Sequence, residues 1–309
     1  MSVTAQQVKE LRDMTGVGMM DCKKALAETG GDMEAAIDWL RTRGLAKAAK
    51  KAGRVAAEGL VGINIEGTKG SIAEVNSETD FVARNDQFQS IVGNVAKLAL
   101  DAAGDVGKLS EMPYPGSGRS VSAELTDAIA KIGENMNLRR TATLTVSDGI
   151  IGSYVHNTVK PGLGKLGVIV ALESTGDKAA LANLGKQIAM HIANTNPLSI
   201  SPDDIDQDVV ARERAIFTEQ AKESGKPAEV VAKMVEGRVR KFYEESTLLA
   251  QTFVIDGETK VGDVVKNAEK EVGAPIKVTG FVRYALGEGI EKEETDFAAE
   301  VAATAGVNK

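Results

Sequence analysis

Apolar and polar positions in the first 54 residues follow a helical period. Thr4 and Gln7 are spaced as a capping box, Val8, Leu11 and Met14 form a stripe behind them, and TGVG at 15–18 interrupts it. The pattern predicts a second helix over 19–28, stopped by Gly30 and Gly31, and a third that Asp32 caps and Gly44 ends. Three helices of this length make a compact module. The run LAKAAKKAGR at 45–54 then reads as a basic helical connector, either a solvated linker or an anion-binding surface.

At Val55 the period shortens to that of strands. VAAEGLVGINIEG, a turn at 68–70 and SIAEVN predict a β-hairpin, which ETDFVARND at 78–86 interrupts. Asp86 opens an amphipathic helix carrying Phe88, Ile91, Val92, Val95 and Leu98 on one side. The stretch MPYPGSGRS at 112–120 predicts a loop, and another helix is expected over 122–136. TATLTVSDGIIGSYVH at 141–156 predicts two strands joined at Asp148 and Gly149, and GVIVALES supplies a third. A helix follows near 177–194. Two charged helices over 206–223 and 227–245, separated by SGKP, read as an antiparallel hairpin. The strand pattern resumes at QTFVID and IKVTGFVRYAL, which makes the hairpin an insertion in the second sheet unit. GEGIEKEETDFAAEVAA predicts an acidic terminal helix and a flexible tail. The expected fold class is α+β, with small antiparallel sheets and helices rather than a parallel βαβ array.

With 309 residues the chain has room for two or three folding units. The pattern divides it into a three-helix module with its connector (1–54), a first sheet unit (55–149), a second sheet unit in two parts (150–199 and 249–289) around the hairpin (200–248), and a C-terminal helical module (290–309). Hydrophobic residues at 43% and charged residues at 26% are globular values. Residues 1–54 carry +3 while the remainder carries −10, so charge marks the first boundary. The net charge of −7 argues against general binding to a nucleic-acid backbone. A start without a basic-then-apolar leader, no long apolar run and a single cysteine point to the cytoplasm, with no membrane partner.

The scan for reaction chemistry leaves little. No G-x-x-x-x-G-K-[ST] string occurs, so the common phosphate-cradling loop is missing. PGLGKLG matches G-x-G-x-x-G, but its glycines precede a strand, where dinucleotide binding needs a strand before and a helix after; a hairpin loop is expected. No G-x-S-x-G elbow exists. His191 sits in the helical IAMHIAN as a structural residue, and Cys22, His156 and His191 cannot assemble a zinc cluster. Cys22 lies beside Asp21, Lys23 and Lys24 and reads as a quiet thiol, although the lysines favour a thiolate. Glu291, Glu293 and Glu294 read as a solvated face. A binding protein is the more economical class, with no cofactor and no metal.

Two strings do not fit a purely structural account. Phe81 stands between Asp80 and Arg84 where strand gives way to helix, either as an exposed anchor or tucked under the next helix. Met19 and Met20 are adjacent at a helix start and cannot both face one core stripe, which leaves one of them for an adaptable contact surface.

These residues carry a family resemblance. VKELRDMTGVGMMDCKKALAETGGDMEAAIDWLR and EVNSETDFVARN are similar to the two hallmark motifs of bacterial translation elongation factor Ts. KIGENMNLRR, GSYVH, IAMHIA, SGKPAEVVAKMVEGRVRKF and GEGIEKEETDFAAEVAA follow in the family's order, so the resemblance spans essentially the whole chain. It implies a non-enzymatic guanine-nucleotide exchange factor that binds elongation factor Tu, GDP-bound or nucleotide-free, and expels GDP in protein biosynthesis. It further implies a ubiquitin-associated-like first module docking through Arg12, Met19 and Met20 on the GTPase domain. The loop Thr79, Asp80, Phe81 and Val82 would enter beside the Mg²⁺ site, with Asp80 and Phe81 at its working end. His156 and the pair Val254 and Ile255 would grip the partner's third domain, and the acidic C-terminal helix would add a contact. The hairpin resembles a protrusion that in some members builds a homodimer, giving a 2:2 complex. The chain departs from the commonest pattern in a longer loop beside His156, 157–166, and a Gly- and Pro-rich 104–120 stretch. The second ETDF, at 294–297, matches in letters only, and Phe297 reads as a packing residue. Competing readings are a passive adaptor or chaperone-like scaffold for a ubiquitin-like or helical partner, and RNA binding through 45–54.

Overall fold

Three helices open the chain: α1 (Ala5–Thr15), α2 (Met19–Glu28) and α3 (Met33–Lys51). The computed structural model describes residues 3–15 and 17–291. The expected caps close, Thr4 Oγ1 accepting the Gln7 N–H (3.3 Å) and Asp32 Oδ1 the Ala35 N–H (2.8 Å). Val8, Leu11, Cys22, Ala25, Leu26, Ala36 and Leu40 meet in a small core of their own.

The hairpin β1 (Glu58–Glu66) and β2 (Lys69–Ser77) follows, in unbroken antiparallel register from Glu58 opposite Ser77 to Glu66 opposite Lys69. Beyond a 3₁₀ turn at Val82–Arg84 come α4 (Asp86–Ala102), α5 (Val106–Glu111), α6 (Val121–Ile132), β3 (Met136–Thr145) and β4 (Gly149–His156). Next are β5 (Leu163–Gly164), β6 (Leu166–Glu173), α7 (Lys178–Thr195), α8 (Gln207–Lys222) and α9 (Ala228–Ser246). The described chain finishes with α10 (Val261–Val272) and β7 (Lys277–Ala285).

Two antiparallel sheets result, a four-stranded one ordered β3-β2-β1-β5 and a three-stranded one ordered β4-β6-β7. Side chains alternate across each strand, so one face of each sheet is free to meet the other. Val61 and Ile72 of the first sheet pack on Ile151 and Ile169 of the second. On the far side of the first sheet Leu60, Ala73 and Val75 pack under Phe88, Ile91, Val92 and Val95 of α4. On the far side of the second, Val168, Val170 and Leu172 meet Leu181, Leu184 and Ile188 of α7 and Val261 and Val265 of α10. The order of layers is helix, sheet, sheet, helix. Gly152 of β4 and Gly185 of α7 allow the last contact, since a Cβ on Gly152 would stand 2.5 Å from the Gly185 backbone.

Several expectations need correction. Gly44 does not end α3, which runs on to Lys51; a Cβ there would lie 3.2 Å from that of Ala130, so this glycine lets α3 cross close to α6. The basic run is helical as expected, but as the last turns of α3 rather than as a separate connector. Its cations are largely committed: Lys47 pairs with Asp21 (2.7 Å), Lys51 Nζ donates to the Gly133 carbonyl, and Arg54 pairs with Glu78 (3.4 Å). The two strands over 141–156 form no hairpin with each other, because β3 completes the first sheet and β4 starts the second. The helix expected to reach 136 stops at Ile132, where Gly133 adopts φ +93°, and β3 begins at Met136. QTFVID is a turn rather than a strand, contributing only the Thr252–Lys260 bridge, and α5 and α10 were not anticipated. The C-terminal module at 290–309, with Phe297, lies from residue 292 outside the described residues. Among the described residues no helix is long and apolar enough to cross a membrane.

The α8–α9 hairpin departs from the second sheet unit and returns to it within one residue pair. Ser199 and Thr247 form a parallel bridge at its base, and Ile205, Val210, Ala221, Val235 and Val239 close its own core.

Candidate functional site

The loop at 78–82 is fixed at both ends and bare in the middle. On the incoming side, the Thr79 N–H donates to Glu134 Oε2 (2.9 Å) and the Thr79 hydroxyl to Glu134 Oε1 (2.7 Å). The Ser77 hydroxyl donates to the Thr79 carbonyl (3.1 Å), and Glu78 Oε1 accepts the Asn135 N–H (2.6 Å). On the outgoing side Val82 and Ala83 turn into the core under α4, Gln89 Nε2 donates to the Ala83 carbonyl (2.8 Å), and Asn85 caps α4 through the Gln87 and Phe88 N–H groups (2.9 and 3.1 Å).

Phe81 is 73% exposed and Val82 only 4%. The open question over Phe81 is thus answered: it does not tuck under α4. Val82 takes the buried position and anchors the loop. Asp80, half-buried, makes no hydrogen bond or ion pair within the described residues. Keeping Phe81 in water forgoes about 1.5–3 kcal/mol of burial, an arrangement expected of a contact surface rather than of a fold stabiliser.

On the N-terminal module Met19 and Met20 are 51% and 77% exposed, so both, not one, face solvent. Arg12 is exposed as well, as are Met14 and Leu45 elsewhere on the module. Cys22 is fully buried; burial pushes its thiol pKa up, overriding the bond from Thr15, and the neighbouring lysines do not activate it.

The remaining expected residues lie on the second sheet unit. His156 ends β4, exposed, with Nδ1 3.0 Å from the Tyr154 hydroxyl. The 157–166 loop crosses onto the first sheet before returning to His156: β5 pairs with Val61 and Gly62 of β1, the Ile63 N–H donates to the Gly162 carbonyl (2.8 Å), Lys160 pairs with Asp86 (2.7 Å), and the Lys165 N–H donates to the His156 carbonyl (3.1 Å). The Lys160 pair holds the Asp86 carboxyl below its usual range. Val254 and Ile255 are exposed on the turn between α9 and α10.

His191 proves more than a filler of α7. Fully buried, it accepts the Val254 N–H at Nδ1 (3.3 Å), which leaves the proton on Nε2 to donate to Gln251 Oε1 (2.8 Å). Gln251 is completed by the Thr195 hydroxyl (2.9 Å) and by donating to the Glu245 carbonyl (2.7 Å). Burial pushes the His191 pKa down, against a smaller opposing effect of Gln251, so the ring is neutral.

A second polar cluster ties the end of β7 to the first sheet. The fully buried Glu74 accepts from Arg139 (3.1 Å), Arg140 (2.5 Å), Asn76 (2.9 Å) and the Gly287 N–H (2.8 Å). Burial opposes its charge, but the Gly287 N–H, Asn76 and Arg140 outweigh it and hold the carboxyl below the usual range.

Sequence reading missed Glu134, Asn135 and Gln251. Their partners lie 55, 57 and 60 positions away, for which residue spacing gives no signal.

The family described as elongation factor TS matches residues 78–288. The elongation factor Ts of Rhizobium leguminosarum bv. trifolii is 62% identical over 301 residues, covering 97% of this chain and 98% of that protein. That of Parvibaculum lavamentivorans is 62% identical over 303 residues, covering 98% of each, and that of Bartonella henselae 59% over 305 residues, covering 99% of each.

Proposed function

The chain belongs to the elongation factor Ts family, and we propose that it acts in the cytoplasm as a guanine-nucleotide exchange factor for elongation factor Tu, making and breaking no covalent bond. The observation that carries this reading is Phe81, an aromatic ring held in water on a loop whose backbone is fixed on both sides. Exchange is a linkage effect: a protein that binds nucleotide-free Tu better than GDP-bound Tu weakens GDP by the same factor. Burying Phe81 in an apolar slot of the nucleotide-free state supplies about 1.5–3 kcal/mol, a ten- to hundredfold loss of GDP affinity. Asp80 stands beside it with its carboxylate uncommitted, facing the Mg²⁺ and phosphate end of the nucleotide site.

The other surfaces hold Tu in register. Arg12, Met19 and Met20 dock on its GTPase domain, while His156 with Val254 and Ile255 grips the third domain. The exposed Ile216 and Val230 of the hairpin support its use by a second copy, giving a 2:2 complex. The test is stopped-flow release of a fluorescent GDP from Tu. Wild type is expected to accelerate release strongly, and Phe81→Ala to lose most of that acceleration while its affinity for Tu changes only a few-fold. Equal losses in rate and affinity would overturn this division of labour, and no acceleration by wild type would overturn exchange itself.

A further inference from the structure

We propose that Glu134 is the positioning residue for Phe81, holding the exchange loop in its working geometry from outside the loop; this rests on the exchange reading above. Phe81, so exposed, cannot fix its own position by packing, so its place is set by backbone contacts. Upstream, both donors of Thr79, two residues before Phe81, go to one carboxylate, that of Glu134, and the neighbouring Asn135 gives its N–H to Glu78. Charge-assisted bonds of this kind are stronger than neutral ones, and the paired geometry fixes direction as well as distance. Downstream, Val82 and Ala83 are locked in the core. Only Asp80 and Phe81 are left with uncommitted side chains between the two anchors.

The same three-residue turn also references the N-terminal module. Lys51 at the end of α3 donates to the Gly133 carbonyl, and Asn135 Nδ2 donates to the Arg54 carbonyl (2.7 Å). The turn at 133–135 thus sets the module bearing Met19 and Met20 and the loop bearing Phe81 against a common point. A loop ordered before it meets its partner avoids part of the ordering cost at the moment of binding. Because Phe81 enters its slot only as GDP leaves, while the other surfaces carry docking, that cost falls on the expulsion step, and loss of Glu134 should appear in the rate of GDP expulsion rather than in docking.

The experiment is a double-mutant cycle in the full chain. Glu134→Ala removes both acceptors of Thr79, whereas Glu134→Gln, whose amide oxygen accepts the Thr79 N–H and whose NH2 donates to the hydroxyl, is the conservative variant expected to restore the loop. The alanine variant is expected to lower the maximal rate of stimulated GDP release by about tenfold or more, while the half-saturating concentration moves less than about threefold. In the Phe81→Ala background the same change is expected to do nothing further. Amide hydrogen exchange at Thr79 in the free protein should quicken by about tenfold, with the melting temperature unchanged. Thr79→Val, which removes only the hydroxyl bond, should act in the same direction and less. Additive losses, a fall in affinity matching the fall in rate, or unchanged Thr79 exchange would each overturn the inference. Absence of stimulated release by wild type overturns the exchange reading instead, and the Thr79 amide then still reports whether Glu134 holds the loop.

Discussion

Phe81 and the pair Val254 and Ile255 present the same kind of surface on two supports of opposite character. Each is apolar and left in water, and each sits on a segment held by a side chain from far along the chain, Glu134 in one case and His191 in the other. Glu134 is half-buried on a connecting turn and takes its two hydrogen bonds from the loop. His191 is fully buried in α7, neutral, and part of a network with Gln251, Thr195 and the Glu245 carbonyl. A rim carboxylate lets a loop be tuned without disturbing the core, whereas a buried imidazole fuses the exposed apolar pair to the stability of its unit.

The largest expected effect that would break this comparison is on folding. His191→Ala leaves the Val254 N–H without its acceptor and opens a cavity beside Phe253, at a cost of about 2–4 kcal/mol in urea unfolding. A cost as small as that of Glu134→Ala would erase the distinction. Next in size is a pH effect. The folded pKa of His191 is lowered, so between that value and the unfolded value near 6.5 the unfolded chain binds the extra proton. Stability is therefore fully present above about pH 6.5 and falls as pH drops through the folded pKa, at no more than about 1.4 kcal/mol per pH unit. Unfolding midpoints measured between pH 7.5 and 5 should show this slope, and His191→Gln should flatten it. Smallest is Val254→Ser with Ile255→Ser, expected to leave stability within about 0.5 kcal/mol while weakening capture of Tu several-fold in a binding titration. A matching loss of stability would mean that the pair is core rather than contact surface.

Much of this molecule was legible in the sequence because its helices are amphipathic and capped: Phe88, Ile91, Val92 and Val95 all face the first core, and Asp32 and Asp177 both cap as side-chain spacing requires. Misreadings arose where one local signal served another purpose. Gly44 reads as a stop but is a close-approach residue, and the alternation in QTFVID reflects a turn with Phe253 inward and Val254 outward. Phe81, Met19 and Met20 stand out from the residue pattern alone, whereas Arg12, His156, Val254 and Ile255 come only from the family resemblance. The supports are not legible there, because Glu134 and His191 act across separations that only the folded chain brings together.

The two-residue strand β5 has a consequence for the order of synthesis. It lies within the β4–β6 connection yet pairs with β1, about a hundred positions earlier, at Val61 and Gly62. A chain made from its N-terminus therefore exposes the outer edge of β1 until residues 163 and 164 have left the ribosome. An unpaired edge is a template for wrong partners. Closing it late, with a segment that lies between two strands of the second sheet, makes completion of the first sheet wait on the start of the second, and a chain truncated before Leu163 leaves that edge open.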